Sequence, residues 1–242
     1  MSPPIIETLK TLKILKHTAV AALIIAALVF LAACVTPENK PETIGRGATW
    51  IPVPKLLDKM KDECWNVNPF LLSPQKASQC CIDIMESAGA PPEAVAFSRA
   101  MLQKRGDTFC YMSSFKKVSI VDIAELACPF RDEETSDMVL LNGQPAIVEI
   151  NDMNNLSKIN LLSEPDYLKM LGRHTEALLW PYTGGLVEVK KLPQGAERYV
   201  FDFRLLNGCE ACPLAGVMTV GYDFNAAGSF TGVKLIKLVT AE

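Results

Sequence analysis

Residues 198–206 read RYVFDFRLL, and the period of this stretch indicates the fold class. Four large apolar side chains recur at every second position, as in a strand that buries one face: Tyr199, Phe201, Phe203 and Leu205. Leu186–Lys190 lies upstream, and Val217–Phe224 and Phe230–Val239 follow with a turn at Asn225–Gly228 between them. The carboxyl third of the chain is therefore predicted to be an antiparallel meander.

The region before the meander also contains strand patterns. Four short apolar segments predict strands: Thr108–Met112, Val118–Ile123, Met138–Leu141 and Ala146–Ile150. Asn142-Gly143 joins the last two, and this dipeptide favours a tight hairpin. Ser163–Leu171 has the pattern of a helix that begins at a serine followed by a proline.

Residues 55–106 have a helical period instead. One helix pattern begins at Lys55, a second follows the N-cap residue Ser73, and a third spans Pro92–Arg105. We expect a helical lobe over residues 55–106 and a mixed region over residues 107–242, with the helices covering one face of the sheet. The predicted class is α+β, with a small disulfide-stapled helical lobe on a mostly antiparallel sheet that ends in the meander.

The first 33 residues have the pattern of a secretion signal. Three lysines precede an uncharged apolar run, Ala19–Phe30. The run ends at Leu31-Ala32-Ala33-Cys34, which resembles the lipobox of bacterial lipoproteins. That resemblance implies thioether lipidation of Cys34, cleavage before it, and acylation of the new amino terminus. The alternative is an uncleaved membrane anchor, because Thr18–Val35 is an uncharged run just long enough to span a bilayer.

Residues 34–54 predict a lipidated tether. The segment contains Pro37, Pro41, Pro52 and Pro54 and has no apolar periodicity. The resemblance to Gram-negative lipoproteins implies sorting to the outer membrane, facing the periplasm, because Val35 and not aspartate follows Cys34. Several acyl chains on one cysteine are sufficient for stable anchoring.

The charge of the chain restricts its partners. The whole chain has 24 basic residues (Lys and Arg) and 27 acidic residues (Asp and Glu). Residues 1–33 contain three of the basic and one of the acidic residues, so cleavage would leave 21 basic and 26 acidic residues and a net charge of −5. Nucleic acids and anionic lipids are bound through clustered basic residues, and the downstream sequence has no basic run. We therefore expect the lipid anchor at Cys34 and an envelope protein or cell-wall component as partners, and no nucleic acid.

Seven cysteines follow Cys34, and an exported chain is expected to oxidise them. Adjacent cysteines in one helix cannot easily bridge each other, which leaves two pairings open. The first joins Cys64 to Cys80 and Cys81 to Cys110, and the second joins Cys64 to Cys81 and Cys80 to Cys110. Cys128 is then the unpaired cysteine, with apolar neighbours that favour a buried thiol.

The sharpest local motif is Cys209-Glu210-Ala211-Cys212-Pro213. Glycines on both sides place it at a hairpin tip, where a structural disulfide between Cys209 and Cys212 is the favoured interpretation. A redox-active dithiol and half of a zinc site are the alternatives, but the motif opens no helix and no second cysteine pair completes a zinc site. We expect no metal and no cofactor.

For the remaining candidate residues, the sequence favours a structural role over a functional one. His174 has Asp166 and Glu176 nearby in sequence for general-base chemistry, but a histidine after a helix is more typical of a cap or surface residue. The acidic residues 132–137 lack the ligand spacing of a calcium loop and predict a solvated turn. Trp180 and Tyr182 fall in a predicted loop, where aromatic residues either cap the sheet or contact a peptide or glycan.

The sequence contains no recognisable catalytic motif. We therefore expect a lipid-anchored envelope protein that acts as a non-enzymatic binding or scaffolding module. The alternative is a thiol-disulfide redox protein that uses Cys209 and Cys212, and a third hypothesis is a hydrolase that uses His174 or paired carboxylates. No catalytic residue is assigned.

Overall fold

Three helices that each begin at a proline form the amino-terminal part of the fold: α1 (Pro54–Met60), α2 (Pro74–Ser87) and α3 (Pro92–Arg105). Proline suits the first helical turn because its missing N–H has no partner there. The Ser73 side chain caps α2 by accepting from the Lys76 amide at 3.4 Å. Gly106 ends α3 with a φ of 87°, a conformation that favours glycine.

The computed structural model describes residues 43–66, 73–130, 137–209 and 211–241, without the side chains of 181–184. The predicted signal, the lipobox and the first part of the tether lie outside the described residues. The residues from Thr43 to Glu242 belong to one unit. No helix among the described residues is long and apolar enough to cross a membrane.

Sheet 1 is a four-stranded antiparallel meander that follows the helices. Its strands run in chain order: β1 (Tyr111–Lys116), β2 (Asp122–Ala127), β3 (Asp137–Leu141) and β4 (Ile147–Glu149). A hairpin joins β3 to β4 as predicted, but its loop is longer than the tight turn expected at Asn142-Gly143. It spans residues 142–146, with Asn142 at a φ of 66° and a cis bond between Gln144 and Pro145.

Sheet 2 is a second antiparallel meander of longer strands. Two short helices, α4 (Met153–Leu156) and α5 (Pro165–Leu171), lead into it. Its strands again run in chain order: β5 (Ala177–Lys191), β6 (Glu197–Asn207), β7 (Leu214–Phe224) and β8 (Phe230–Thr240). The alternating side chains Tyr199, Phe201, Phe203 and Leu205 are all fully buried.

Sheet 1 is the middle layer of three. Ile123 and Leu140 pack with the buried aromatic residues of sheet 2, whereas Ala124 and Val139 pack with Phe97 and Met101 of α3. The α+β class is confirmed. The helical lobe packs on sheet 1. Sheet 2 is covered by sheet 1 together with the short helices α4 and α5, whose Leu156, Tyr167 and Met170 are buried in the same core.

The predicted tether is too long at its carboxyl end. The Ile44 amide donates to Asn142 Oδ1 and Asn142 Nδ2 donates to the Ile44 carbonyl, both at 2.8 Å. Ala48 is buried, and the Trp50 amide donates to the Met112 carbonyl at 2.9 Å. The folded unit therefore begins at about Thr43. Ala48 and Trp50 add apolar contacts along the edge of sheet 1.

Several predicted strand and loop positions are also wrong, and β1 begins at Tyr111 instead of Thr108. The apolar residues Val118 and Ile120, predicted as strand, lie in the β1–β2 loop, and β2 begins at Asp122. Both residues pack against the core that lies between the two sheets, which explains why this loop contains apolar side chains. Residues 180–185, predicted as a loop, lie within β5, which shifts register against β6 in this stretch.

Candidate functional site

The described cysteines form three disulfides, which confirms that the chain is disulfide-bonded. Cys64, in the π-helical turn after α1, pairs with Cys80 of α2, as the first predicted arrangement has it. Cys81 is a free, fully buried thiol, so its predicted disulfide is wrong. Adjacent residues on a helix point about 100° apart, and Cys81 therefore faces the α2–α3 core, where burial raises the pKa of its thiol to about 12.

The second disulfide joins Cys110 to Cys128, so the prediction that Cys128 is unpaired is wrong. Strands β1 and β2 pair Tyr111 with Ala127, and the next residues outward in this register are the two cysteines. Their Cα atoms are 4.3 Å apart. The disulfide is therefore a covalent rung that extends the β1–β2 ladder by one position.

The third disulfide joins Cys209 to Cys212 at the tip of the β6–β7 hairpin, as predicted. Cys209 is exposed and Cys212 is half-buried. A Cβ added at Gly208 would lie 2.6 Å from Glu176 Oε2, which places a carboxylate beside this turn. A neighbouring negative charge opposes formation of a thiolate, and thiolate formation is what a redox-active pair requires.

Arg105 and its partners form a concentrated cluster of charged side chains at one end of sheet 1. Arg105 Nε and Nη2 donate to Glu149 Oε2 at 2.7 and 2.6 Å, and Nη1 lies 2.7 Å from Asp137 Oδ2. Nη1 also contacts the sulfur atoms of Cys110 and Cys128, at 3.1 and 3.3 Å. We call Arg105, Asp137, Glu149 and this disulfide the Arg105 centre.

The fold explains why these side chains meet. Arg105 is the last residue of α3, where a cation also interacts favourably with the helix dipole. Asp137 begins β3 and Glu149 ends β4, so both carboxylates lie at the same end of sheet 1. The side chains of Arg105, Asp137 and Glu149 are only 12%, 3% and 14% exposed. Burying these charges costs solvation free energy, so the ion cluster is a weak source of net stability although removing one partner is costly.

A cleft of about 310 Å³ opens on the Arg105 centre. Its walls are formed by polar residues and one methionine: Arg105, Asp107, Thr108, Asp137, Glu149, Asn151 and Met153. The volume is at the lower end of the range for small-molecule sites. Asn151 Nδ2 donates to Asp137 Oδ1 at 2.9 Å, which orients that carboxylate toward Arg105. We call this feature the Arg105 cleft.

The sequence analysis missed this site. It assigned Asp137 to a solvated acidic turn, whereas Asp137 is 2% exposed and paired with Arg105; residues 132–136 of that run lie outside the described residues. A signal was present, because Glu149 interrupts the apolar segment Ala146–Ile150. Only the three-dimensional fold brings α3, β3 and β4 to one point.

Another buried carboxylate, that of Glu197, lies beside the β1–β2 loop at the other end of sheet 1. Glu197 accepts hydrogen bonds from Ser119 Oγ (2.6 Å), the Ile120 amide (3.2 Å), Tyr199 OH (2.7 Å) and Lys191 Nζ. Burial alone would raise the pKa of Glu197, but these four donors outweigh it and lower the pKa to about 2. The cluster fastens the β1–β2 loop to sheet 2.

His174 and Trp180 do not join the Arg105 cleft. His174 is half-buried after α5, and its backbone amide donates to the Met170 carbonyl at 2.9 Å, as in a helix end. Among the described residues the structure gives no hydrogen bond between the His174 side chain and Asp166 or Glu176. Trp180 is half-buried on β5.

Comparison of the chain with models of known families, with curated proteins and with solved structures finds no match. Within the described ranges, no three His, Cys, Asp or Glu side chains are grouped so that they could hold a metal ion.

Proposed function

We propose that this chain is a lipid-anchored envelope protein, attached to the outer membrane through Cys34 and facing the periplasm, where its folded unit acts as a non-enzymatic binding module. The observation that carries the proposal is the oxidation of six of the seven cysteines after Cys34. Disulfides persist in oxidising compartments, which agrees with export directed by a lipobox-like leader.

The Arg105 cleft supports the binding role. A concave surface that holds a buried arginine and two buried carboxylates offers directional hydrogen bonds to a polar ligand or to a polar side chain of a partner. The arginine is already bonded to Glu149 and Asp137 on three of its nitrogens. Such an arrangement is rigid and suits recognition by shape and hydrogen bonding.

Mass spectrometry of the membrane-extracted protein, digested without reduction, tests the anchor. We expect acyl chains on Cys34 at the new amino terminus and the three disulfides described above. A Cys34→Ala variant should lose membrane flotation. An unmodified Cys34 with residues 1–33 retained would contradict the lipoprotein proposal and favour the uncleaved anchor.

Site-directed photo-crosslinking in intact cells tests the binding role. A photoreactive residue at Thr108, on the wall of the Arg105 cleft, is expected to form a discrete adduct with an envelope component. The matched control is the same residue at Lys237, which is exposed on β8. Adducts that are equal at both positions, or absent at both, would contradict a binding role for the cleft.

A second candidate function is thiol-disulfide exchange by Cys209 and Cys212. The exposure of Cys209 favours it, because an attacking thiolate needs access to one sulfur. In that reaction two thiols of a substrate protein would be oxidised to a disulfide while Cys209 and Cys212 are reduced. Trapping of a mixed disulfide with envelope proteins by a Cys212→Ala variant, but not by a Cys209→Ala/Cys212→Ala variant, would support this function.

A further inference from the structure

The point at which the chain enters the folded unit lies beside the β1–β2 loop. Ile44 is bonded to the side chain of Asn142, and Asn142 Nδ2 also donates to Asp122 Oδ2 at 2.7 Å. The Val118 amide donates to Asp122 Oδ1 at 3.2 Å. Two hydrogen-bonded side chains therefore connect Ile44 to the loop residue Val118.

Three lysines lie at or beside the β1–β2 loop. Lys116 ends β1, and Lys117 is the first residue of the β1–β2 loop; both are exposed. Lys191 ends β5, and its Nζ donates to Ser119 Oγ at 3.2 Å. We call Lys116, Lys117 and Lys191 the lysine corner. The sequence analysis found no basic run because Lys191 is distant in sequence and only the fold brings it here.

The nearest acidic groups are directed inward. Asp122 is 7% exposed and bonded to Asn142 and Val118, and Glu197 is fully buried. Lys191 is paired with Glu197, whereas Lys116 and Lys117 make no ion pair within the described residues. The lysine corner therefore presents net positive charge on a chain whose overall charge is negative.

The length of chain before Thr43 limits how far this corner is from the proposed anchor. Eight residues, 35–42, separate Cys34 from Thr43. Such a segment spans about 17 Å when flexible and at most about 32 Å when fully extended. The Cys209–Cys212 tip lies at the far end of β6, about 33 Å along that strand from Glu197.

We infer that the lysine corner docks on the anionic phospholipid headgroups of the membrane that holds Cys34, an inference that rests on the lipid anchor proposed above. The tether keeps the corner near the surface, and the two unpaired lysines supply charge that complements phosphate. The folded unit then has a preferred orientation, with the lysine corner toward the lipid and the Cys209–Cys212 tip away from it.

Hydrogen exchange of the mature lipidated protein in vesicles tests the docking. The vesicles contain either phosphatidylethanolamine with phosphatidylglycerol or phosphatidylcholine alone. We expect slower exchange of residues 116–121 and 191–196 in the anionic vesicles only, with the difference lost at about 1 M salt, where charges are screened beyond about 3 Å.

A Lys116→Gln/Lys117→Gln variant should weaken docking by about 25-fold, at roughly fivefold for each lysine, and so remove the protection. The matched control is Lys234→Gln/Lys237→Gln, which removes the same charge from the exposed side of β8 and should leave the protection unchanged.

Flotation of the same samples reports the anchor separately. Flotation with equal exchange in both vesicle types would overturn the docking and leave the anchor intact. Equal loss of protection in the control variant would likewise overturn the lysine corner as the contact. A protein that does not float with either vesicle would overturn the anchor itself, and the docking with it.

Discussion

The Cys110–Cys128 disulfide is buried beneath Arg105, whereas the Cys209–Cys212 disulfide lies at an exposed hairpin tip. The first closes a loop with a sequence separation of 18, and the second one with a separation of 3. Cys110 is fully buried and Cys209 is exposed. Two bonds of identical chemistry therefore differ in how far they restrict the unfolded chain and in whether a reagent can reach them.

The comparison separates two uses of a disulfide. In the Arg105 centre the bond fixes one end of the β1–β2 ladder. Arg105 contacts this bond and binds the carboxylates of Asp137 and Glu149. At the hairpin tip the bond closes a turn that the pairing of β6 with β7 already defines. The length of the loop that each bond closes sets most of its contribution to stability. The surroundings of the bond set whether a thiol reagent can reach it.

Arg105→Met is expected to have the largest effect. It leaves Asp137 and Glu149 buried without their cation, and breaking a buried ion cluster from one side typically costs about 3 to 5 kcal/mol of unfolding free energy. Urea unfolding, followed by circular dichroism, measures the loss. The matched control is Lys104→Met, because the adjacent Lys104 is 37% exposed and lies 4.0 Å from Glu149. Equal losses in the two variants would contradict a buried ion cluster.

Cys110→Ala/Cys128→Ala is expected to have the next largest effect. The chain-entropy relation gives about 3 kcal/mol for a loop of this length. Replacing both residues avoids a new free thiol beneath Arg105. Non-reducing urea unfolding gives the difference from the native chain. A loss below about 1 kcal/mol would show that the ladder and the Arg105 centre keep their geometry without the bond.

The sequence predicted β6, β7 and β8 of the carboxyl-terminal sheet, but of β5 only Leu186–Lys190. The prediction is clearest for β6, where large apolar side chains recur at every second position. Tyr199, Phe201, Phe203 and Leu205 alternate without exception, and the Asn225–Gly228 turn separates β7 from β8 as expected. The Cys209–Cys212 pair was also predicted, because its members are three residues apart and contact depends only on a local turn. Features that depend on local pattern were accessible from the sequence.

The Arg105 centre was not predicted, because it depends on strand register. Cys110 was assigned to the cysteines of the helical lobe, and Cys128 was then left without a partner by elimination. The observed strand, Asp122–Ala127, brings Cys128 opposite Cys110. That strand was predicted at Val118–Ile123, so this juxtaposition was not visible in the sequence.

Acid is expected to lower the free energy of unfolding through protonation of Glu197. The two disulfides do not titrate and do not contribute to this pH dependence. The pKa of this carboxyl is about 2 in the folded chain against a usual 4.5, so its contribution is present above pH 4.5 and is lost as the pH falls toward 2. We expect a loss of about 1 to 2 kcal/mol, because Lys191 is largely exposed and its hydrogen bond is weakened by water. A Glu197→Gln variant should lack this component, and parallel pH profiles for the two proteins would contradict it.

Cys209→Ala/Cys212→Ala is expected to have the smaller effect of the two disulfide variants, about 1.5 kcal/mol by the same relation, because a loop this short restricts the unfolded chain little and the hairpin remains paired. The rates at which the two disulfides are reduced should follow the opposite order to their contributions to stability. Mild reduction of the folded protein, followed by alkylation and mass spectrometry, should label Cys209 and Cys212 well before Cys110 and Cys128, since a thiol reagent reaches the exposed sulfur of Cys209 directly. Reduction of all disulfides at one rate would mean that the reagent acts only on the unfolded chain. In that case the tip would share the protection of the Arg105 centre, and the difference between the two bonds would be confined to loop length.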